Sequence, residues 1–401
     1  MKNVLSIVKR DECCGCTACS QVCPQSIIEI KSDHEGFLVP NITEQTQCIE
    51  CGLCLRVCPT LSTPNYKAPA IENSFVVHTK DFASAKRSAS GGAFWTIAAY
   101  FIQSFHAVVF GASYTQDLRV CHTMVESLSD LCQLQNSKYV QSDLTGIYRE
   151  VLAQLKTGRY VLFSGTPCQI DGLYRFLQNR EYPTLFTMDI VCHGVPSPIF
   201  LQRHLESLPR VHGREVSKVK FRSKNPLFKS TSKYVIKYTF GKRASFFLKY
   251  TDDFYFSSFL KGVAFRESCY QCPYARLERV SDFTIGDCDS SSEYPGFLPG
   301  LSKSILLCNT EKALTLWGHT LSSLFYHTKL DLEKESLRNS QLRTPFKRPM
   351  ERDSFYTDYL SSPPKGITIN RAFLKKSVKG ALLTHLPSSL LSLVSLRRIF
   401  H

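Results

Sequence analysis

Residues 13–24 read CCGCTACSQVCP and residues 48–59 read CIECGLCLRVCP. With Cys14 set aside, both are one run, C-x2-C-x2-C-x3-C-P. Cys13, Cys16, Cys19 and Cys23 carry it first, then Cys48, Cys51, Cys54 and Cys58. Three thiolates with two residues between them wrap one face of a four-iron, four-sulfur cube. The fourth, before proline, points away and ligates the neighbouring cube. The spacing therefore predicts one [4Fe-4S] cluster on Cys13, Cys16, Cys19 and Cys58 and a second on Cys48, Cys51, Cys54 and Cys23. Zinc is the competing metal, but its sites pair two C-x2-C hooks and have no use for two full runs. Cys14 breaks no spacing and reads as a bystander.

Between the runs, SIIEIKSDHEGFLVP (26–40) has the pattern of a short hairpin turning at Asp33–Gly36. Residues 8–62 as a whole resemble a two-cluster ferredoxin. The chain has 401 residues, enough for two or three domains. A hydrophobic fraction of 43% with 12% aromatics excludes a disordered or collagen-like chain. Met1–Arg10 lacks the apolar core of a signal peptide, and no run of about 18 apolar residues exists to span a membrane. The longest candidate, 381–394, is broken by His385, Pro387 and several serines. A cytoplasmic protein is expected, with its 17 cysteines serving metal or redox chemistry in place of disulfides.

After Pro59, the stretch LSTPNYKAPA (61–70) reads as a linker. Beyond it, apolar runs alternate with helical patterns: SFVVHT, GGAFWTIAAYFIQSF, AVVFGASY, a 3.6-period stretch near Gly146–Leu155, RYVLFSGTP and TLFTMDIVCHG. Strands alternating with helices predict an α/β domain. Four more cysteines end such runs beside Gly or Pro: Cys168, Cys192, Cys269 and Cys272. They read either as a third cluster site or as two core cysteines plus an unrelated C-x2-C. Cys288 is a rival ligand, while Cys121, Cys132 and Cys308 fall in apolar patterns and read as core.

RSASGGAF (87–94), SKYVQSD (137–143), VLFSGTPCQIDGL (161–173), DIVCHGVPSP (189–198), CYQCPYA (269–275) and RVSDFTIGD (279–287) occur in this order. Together they resemble the beta subunit of coenzyme F420 hydrogenase and its dehydrogenase relatives, over about residues 72–320. The resemblance implies FAD bound beside a [4Fe-4S] cluster on Cys168, Cys192, Cys269 and Cys272. The expected architecture is an α+β ferredoxin-like two-cluster domain (1–66) followed by a larger α/β flavin- and cluster-binding domain. The latter is divided at residue 150 (67–150 and 151–330), with a basic extension over 331–401.

A flavin is also called for on other grounds. Iron–sulfur clusters pass single electrons, most organic substrates take two, and a flavin converts between them. No G-x-G-x-x-G is present, which disfavours a Rossmann site. Ser88, Ser90, Gly91 and Gly92 open an apolar helical run, a helix start that suits a pyrophosphate or else serves only as an N-cap. Gly165 and Thr166, in the turn before Pro167, and Asp287, after Gly286, are further candidates to line the flavin or cluster pocket. His193 reads either as a donor to the site or as a structural histidine.

The formal charge of +15 is regional. Between Gly213 and Tyr250 there are 11 Lys/Arg against one acid, and from Pro363 to His401 there are 7 with no acid. Three four-thiolate cubes at about −2 each would bring the total to roughly +9. The basic runs VSKVKFRSK and SKYVIKYTF would attract an anionic two-electron coenzyme or an acidic ferredoxin, or are simply a solvated face. No recognised motif links the charge to nucleic acid. The basic tail suits either an anionic membrane surface or packing on its own domain, the second being the commoner arrangement. Two functions are compatible with these features. One is an iron–sulfur flavoprotein oxidoreductase linking ferredoxin-type clusters to a two-electron substrate. The other is a non-catalytic relay subunit that docks a separate catalytic partner.

Overall fold

A computed structural model describes residues 3–208, 213, 215–224, 235–241 and 244–361. The basic tail from Pro363 onward, with its membrane reading, and the start of SKYVIKYTF lie outside these residues. The N-terminal module holds three short helices, Val4–Ile7, Ala18–Val22 and Leu53–Arg56, and an antiparallel hairpin of β1 (Ile28–Ser32) and β2 (Leu38–Ile42). Asp33 closes the hairpin, its Oδ1 accepting the N–H groups of Glu35 and Phe37 at 2.9 Å each.

The main body is built on eight strands: β3 (Ser74–Thr79), β4 (Val108–Tyr114), β5 (Val120–Val125), β6 (Val161–Gly165), β7 (Leu185–Ile190), β11 (Phe283–Asp287), β12 (Ser304–Cys308) and β13 (Phe325–Lys329). They order as β13-β3-β12-β11-β7-β6-β4-β5. β4, β6, β7 and β11 run parallel, and the outer strands are antiparallel. Strands from both sides of residue 150 share this sheet. A second, three-stranded antiparallel sheet holds β8 (Val216–Lys220), β9 (Val235–Phe240) and β10 (Ala244–Lys249), in the order β10-β9-β8.

The period-2 alternation of strand side chains divides the core. Val109 and Leu162 face the helix Ala93–Phe105, packing on Ile97 and Phe101. Val108, Phe110, Val161 and Phe163 face the opposite layer, the helices Ile147–Lys156 and Pro167–Phe176. Each fully buried Phe or Leu contributes about 1.5–3 kcal/mol.

The same second layer receives the N-terminal module, whose Cys16, Ala18 and Val57 join this core. Gly172, on the helix after β6, lets the module in: a Cβ there would stand 2.9 Å from the Cys16 Cβ. Polar contacts reinforce the docking. Gln21 donates to Leu144 O (3.0 Å) and accepts the Tyr148 N–H (2.7 Å). Glu35 accepts both Arg352 amino groups at 2.9 and 2.8 Å. The stretch read as a linker is held down as well. Arg175 donates to Thr63 O (2.9 Å), Tyr66 Oη to Pro273 O (2.8 Å) and Lys67 N to Arg279 O (2.6 Å).

Candidate electron-transfer and cofactor site

The structure brings the eight N-terminal cysteines close together. Cys16 interacts with Cys19 and Cys58, Cys19 with Cys13 and Cys58, and Cys58 with Cys13. Cys54 interacts with Cys23 and Cys51, and these three with Cys48 line one small hollow. The sets differ in exposure: Cys16, Cys19 and Cys58 are buried, whereas Cys51 is exposed beside an exposed Ile49.

Cys168, Cys192, Cys269 and Cys272 also come together, each interacting electrostatically with the other three. Topology explains the convergence. Cys168 follows the carboxyl end of β6 and Cys192 that of β7, two adjacent parallel strands, and ligands in open α/β sheets lie beyond such ends. Thr166 caps the helix that carries Cys168, its N–H donating to Gln169 Oε1 at 2.9 Å, and its hydroxyl lies 3.2 Å from the Cys168 sulfur. Two buried clamps hold the loops in register. Asp171 accepts the Tyr274 hydroxyl at 2.7 Å, tying the Cys168 helix to the Cys272 loop. Arg279 donates to Tyr274 O (2.9 Å) and Ile190 O (3.3 Å) and pairs with the fully buried Asp189 at 3.2 Å.

Burial, then the neighbouring thiols, push Cys269 up to about 12 and Cys272 up to about 11. Four thiolates gathered this closely on a half-buried cavity wall require cations among them to ionise together, which fits the core of an iron–sulfur cube. Among the described residues no three His, Cys, Asp or Glu close around a single ion. Cys288 does not join the set: it packs with Ile305 and Leu330, its sulfur 4.0 Å from Glu335 and 3.8 Å from Ser290. Cys132, read as core, is exposed, because the short helix Leu128–Leu131 before it turns Leu131 inward instead. Cys121 is half-buried and Cys308 fully buried.

Cys14, outside the ligand spacing, stands between two of the sets. It interacts with Cys16 of the first set and with Cys168 of the later one, and it lines a cavity of about 990 Å³. The later four cysteines line the same cavity, as do Ser88, Ser90, Gly92, Gly165, Thr166, His193 and Asp287. Its size lies at the upper end of the usual range for cofactor and ligand pockets.

The residues expected to hold a pyrophosphate divide. Gly92, at φ +85°, is the N-cap of the helix Ala93–Phe105, and no side chain caps that helix start. Ser88 is taken: its hydroxyl donates to Ser84 O (3.0 Å), ending the helix Phe82–Arg87, and accepts from Gln135 (2.9 Å). Gly91 is turned away from the cavity, its N–H donating to Ser304 Oγ at 2.8 Å, and a Cβ there would strike Val77 O at 2.4 Å. The Ser90 hydroxyl shares Ser304 Oγ, at 2.8 Å. Asp287 pairs with the buried Arg222.

The basic strand does not simply face solvent. Lys220 donates to Arg87 O at 2.9 Å, Arg222 to Ala89 O at 3.3 Å and Lys224 to Ala85 O at 2.8 Å, so the strand closes on the carbonyl end of the helix Phe82–Arg87. Burial lowers Lys224 to about 8.

Two further cavity residues were not singled out by the sequence: Lys138 lies within the SKYVQSD run and His122 in none of the runs. His122 is buried, and since a carbonyl only accepts, its Nε2 donates to Ser164 O (2.9 Å) and its Nδ1 accepts from Ser142 (2.7 Å). Burial lowers it to about 4. Lys138, lowered by burial to about 7, donates to the carbonyls of Gln133, Gln135 and Asn136 at 3.1, 3.0 and 3.1 Å.

Residues 12–62 match the profile of the 4Fe-4S dicluster domain, and residues 158–329 that of the C terminus of the coenzyme F420 hydrogenase/dehydrogenase beta subunit. The stretch 158–329 contains all four of the later cysteines, and the stretch 12–62 the first eight. Among solved structures, a chain of the xenon-derivatized F420-reducing [NiFe] hydrogenase complex from Methanosarcina barkeri is 15% identical. The alignment covers 69% of this chain and 91% of that one, at a TM-score of 0.45. No curated protein matches the chain. No helix among the described residues is long and apolar enough to cross a membrane.

Proposed function

We propose that the chain is an iron–sulfur flavoprotein oxidoreductase, passing electrons between the N-terminal clusters and a two-electron donor or acceptor. One observation carries the reading. A single cavity is lined by the four later cysteines, by the uncapped helix start at Gly92, and by Cys14 of the dicluster domain. Cys13, Cys16, Cys19 and Cys58 would hold the inner N-terminal cluster, and Cys23, Cys48, Cys51 and Cys54 the outer one. Cys168, Cys192, Cys269 and Cys272 would hold a third beside FAD. When bound, the clusters pass single electrons and the flavin exchanges them for pairs.

The protein's own residues align and insulate this path. Gly172 brings the inner set against the helix of Cys168. Arg279 and Asp171 fix the three cysteine-bearing loops. The helix start at Gly92 offers N–H donors to the pyrophosphate, and neutral His122, its ring stacked on Phe163, adds no charge to the cavity wall. Exposed Ile49 and Cys51 offer the outer cluster to a one-electron protein such as a ferredoxin. The deazaflavin coenzyme for which the family is named is an anionic two-electron partner of the required kind.

The test is reconstitution of the full chain with iron, sulfide and FAD, followed by reduction with one donor. Binding of FAD, with bleaching of both cluster and flavin absorbance, supports the reading. Failure to bind FAD overturns it and favours the relay subunit.

A further inference from the structure

The guanidinium of Arg266 is buried between the dicluster domain and the later cysteines, its residue only 3% exposed. Nη1 donates to Cys13 O at 3.0 Å, and Nη2 to Leu38 O at 2.8 Å and Gln141 Oε1 at 2.9 Å. Its backbone accepts the Cys269 N–H at 2.9 Å. The side chain thus touches a ligand of the first set while its main chain orients a ligand of the third. Gly15 makes room for it: a Cβ there would stand 2.8 Å from Nη2, and at φ +70° the position suits glycine on backbone grounds as well.

Arg266 has no carboxylate partner among the described residues. Its neighbours are two carbonyls, an amide and the Phe37 ring at 4.8 Å, and Nε is buried without an acceptor. A buried cation without an anion is costly. The anions it would face are the clusters of the two sets it bridges, through Cys13 O on one side and the Cys269 N–H on the other.

We infer that Arg266 is the counter-ion shared by the first and third cysteine sites, a positioning residue whose fixed charge stabilises the reduced state of both. The inference rests on the proposed third cluster. Each oxidised four-thiolate cube carries about −2, and each electron added makes it more negative. A cation fixed between two such sites raises both reduction potentials together and so leaves the difference between them little changed. The outer set of Cys23, Cys48, Cys51 and Cys54 makes no contact with Arg266 and serves as an internal reference.

The experiment is a redox titration, followed by EPR, of the full chain purified anaerobically. In Arg266→Gln the first and third clusters are expected to be at least tenfold less reduced at a fixed potential, about 59 mV for one electron, while the outer cluster is unmoved. Arg266→Lys returns most of the shift. Ser268→Ala, which removes another donor to Cys13 O (3.1 Å) but no charge, leaves all three potentials in place. If Arg266→Gln loses iron, Gln141→Glu supplies the same readout, since a carboxylate against the guanidinium cancels its charge and lowers the same two potentials. Unchanged first and third potentials in whichever of these variants retains its clusters overturn the inference. Wild-type protein with about eight iron would overturn the third cluster as well, whereas about twelve iron with unmoved potentials would sink the role of Arg266 alone.

Discussion

Cys14 and Cys288 both lie outside the ligand spacing, and their surroundings separate them. Cys14 stands between Cys16 and Cys168 at the cavity, while Cys288 is enclosed with Glu335 and Ser290 in a different part of the core. Replacing either with alanine is therefore predicted to leave the iron content unchanged, whereas Cys168→Ala loses about four iron and keeps about eight. Iron and acid-labile sulfide assays check this, and a loss of iron in Cys288→Ala would reinstate that residue as a ligand. His122 gives a pH-dependent prediction. Burial holds it at about 4 in the folded protein, below its ordinary 6.5. Both states are neutral above 6.5, so its full contribution to stability is present there and declines as pH falls toward 4. Between pH 7 and 5.5 the loss is about 1 kcal/mol. Denaturant melts of wild type and His122→Asn at these pH values should show a steeper loss in the wild type.

At the scale of elements, the docking of the dicluster domain depends on a glycine. Gly172→Val places a side chain against Cys16 and the Tyr148 hydroxyl, which a Cβ alone would approach to 2.9 and 3.0 Å. It is predicted to cost about 1–3 kcal/mol and to weaken retention of the inner cluster. Gly318→Ala, where a Cβ meets nothing within 4 Å, is predicted to be neutral or stabilising by up to about 1 kcal/mol. Thermal melts of both variants test the contrast.

Most elements were legible in the sequence because their local signals agree with their environment. The run SFVVHT is buried throughout its length as β3, and Asp33–Gly36 closes its hairpin through the Asp33 carboxylate. The linker stretch was misleading because polarity and proline reveal nothing of its partners. Arg175, Arg279 and Pro273, which hold it, lie more than 100 residues away in the chain. Ser88 and Gly91 misled in the same way, since only the fold shows that their hydrogen bonds go to Ser84, Gln135 and Ser304.

At the scale of the molecule, the three cysteine sets have three different surroundings. One set has the exposed Cys51, the set containing Cys16 lies against Gly172, and the third set lines the large cavity. These surroundings could not be read from spacing, because they depend on how the dicluster domain is turned against the main sheet. The ion pair of Glu35 with Arg352 ties that domain to the helix Arg352–Ser361. Burial raises the Glu35 carboxyl, but Arg352 and Arg10 outweigh it and hold the group below its ordinary 4.5. Its contribution is therefore present above 4.5 and is lost as pH falls through the depressed value. The most direct test of the whole account is the iron, acid-labile sulfide and flavin content of anaerobically purified full-length protein. About twelve iron with one FAD per chain is the predicted result, whereas about eight iron without flavin would contradict it, leaving the later four cysteines structural.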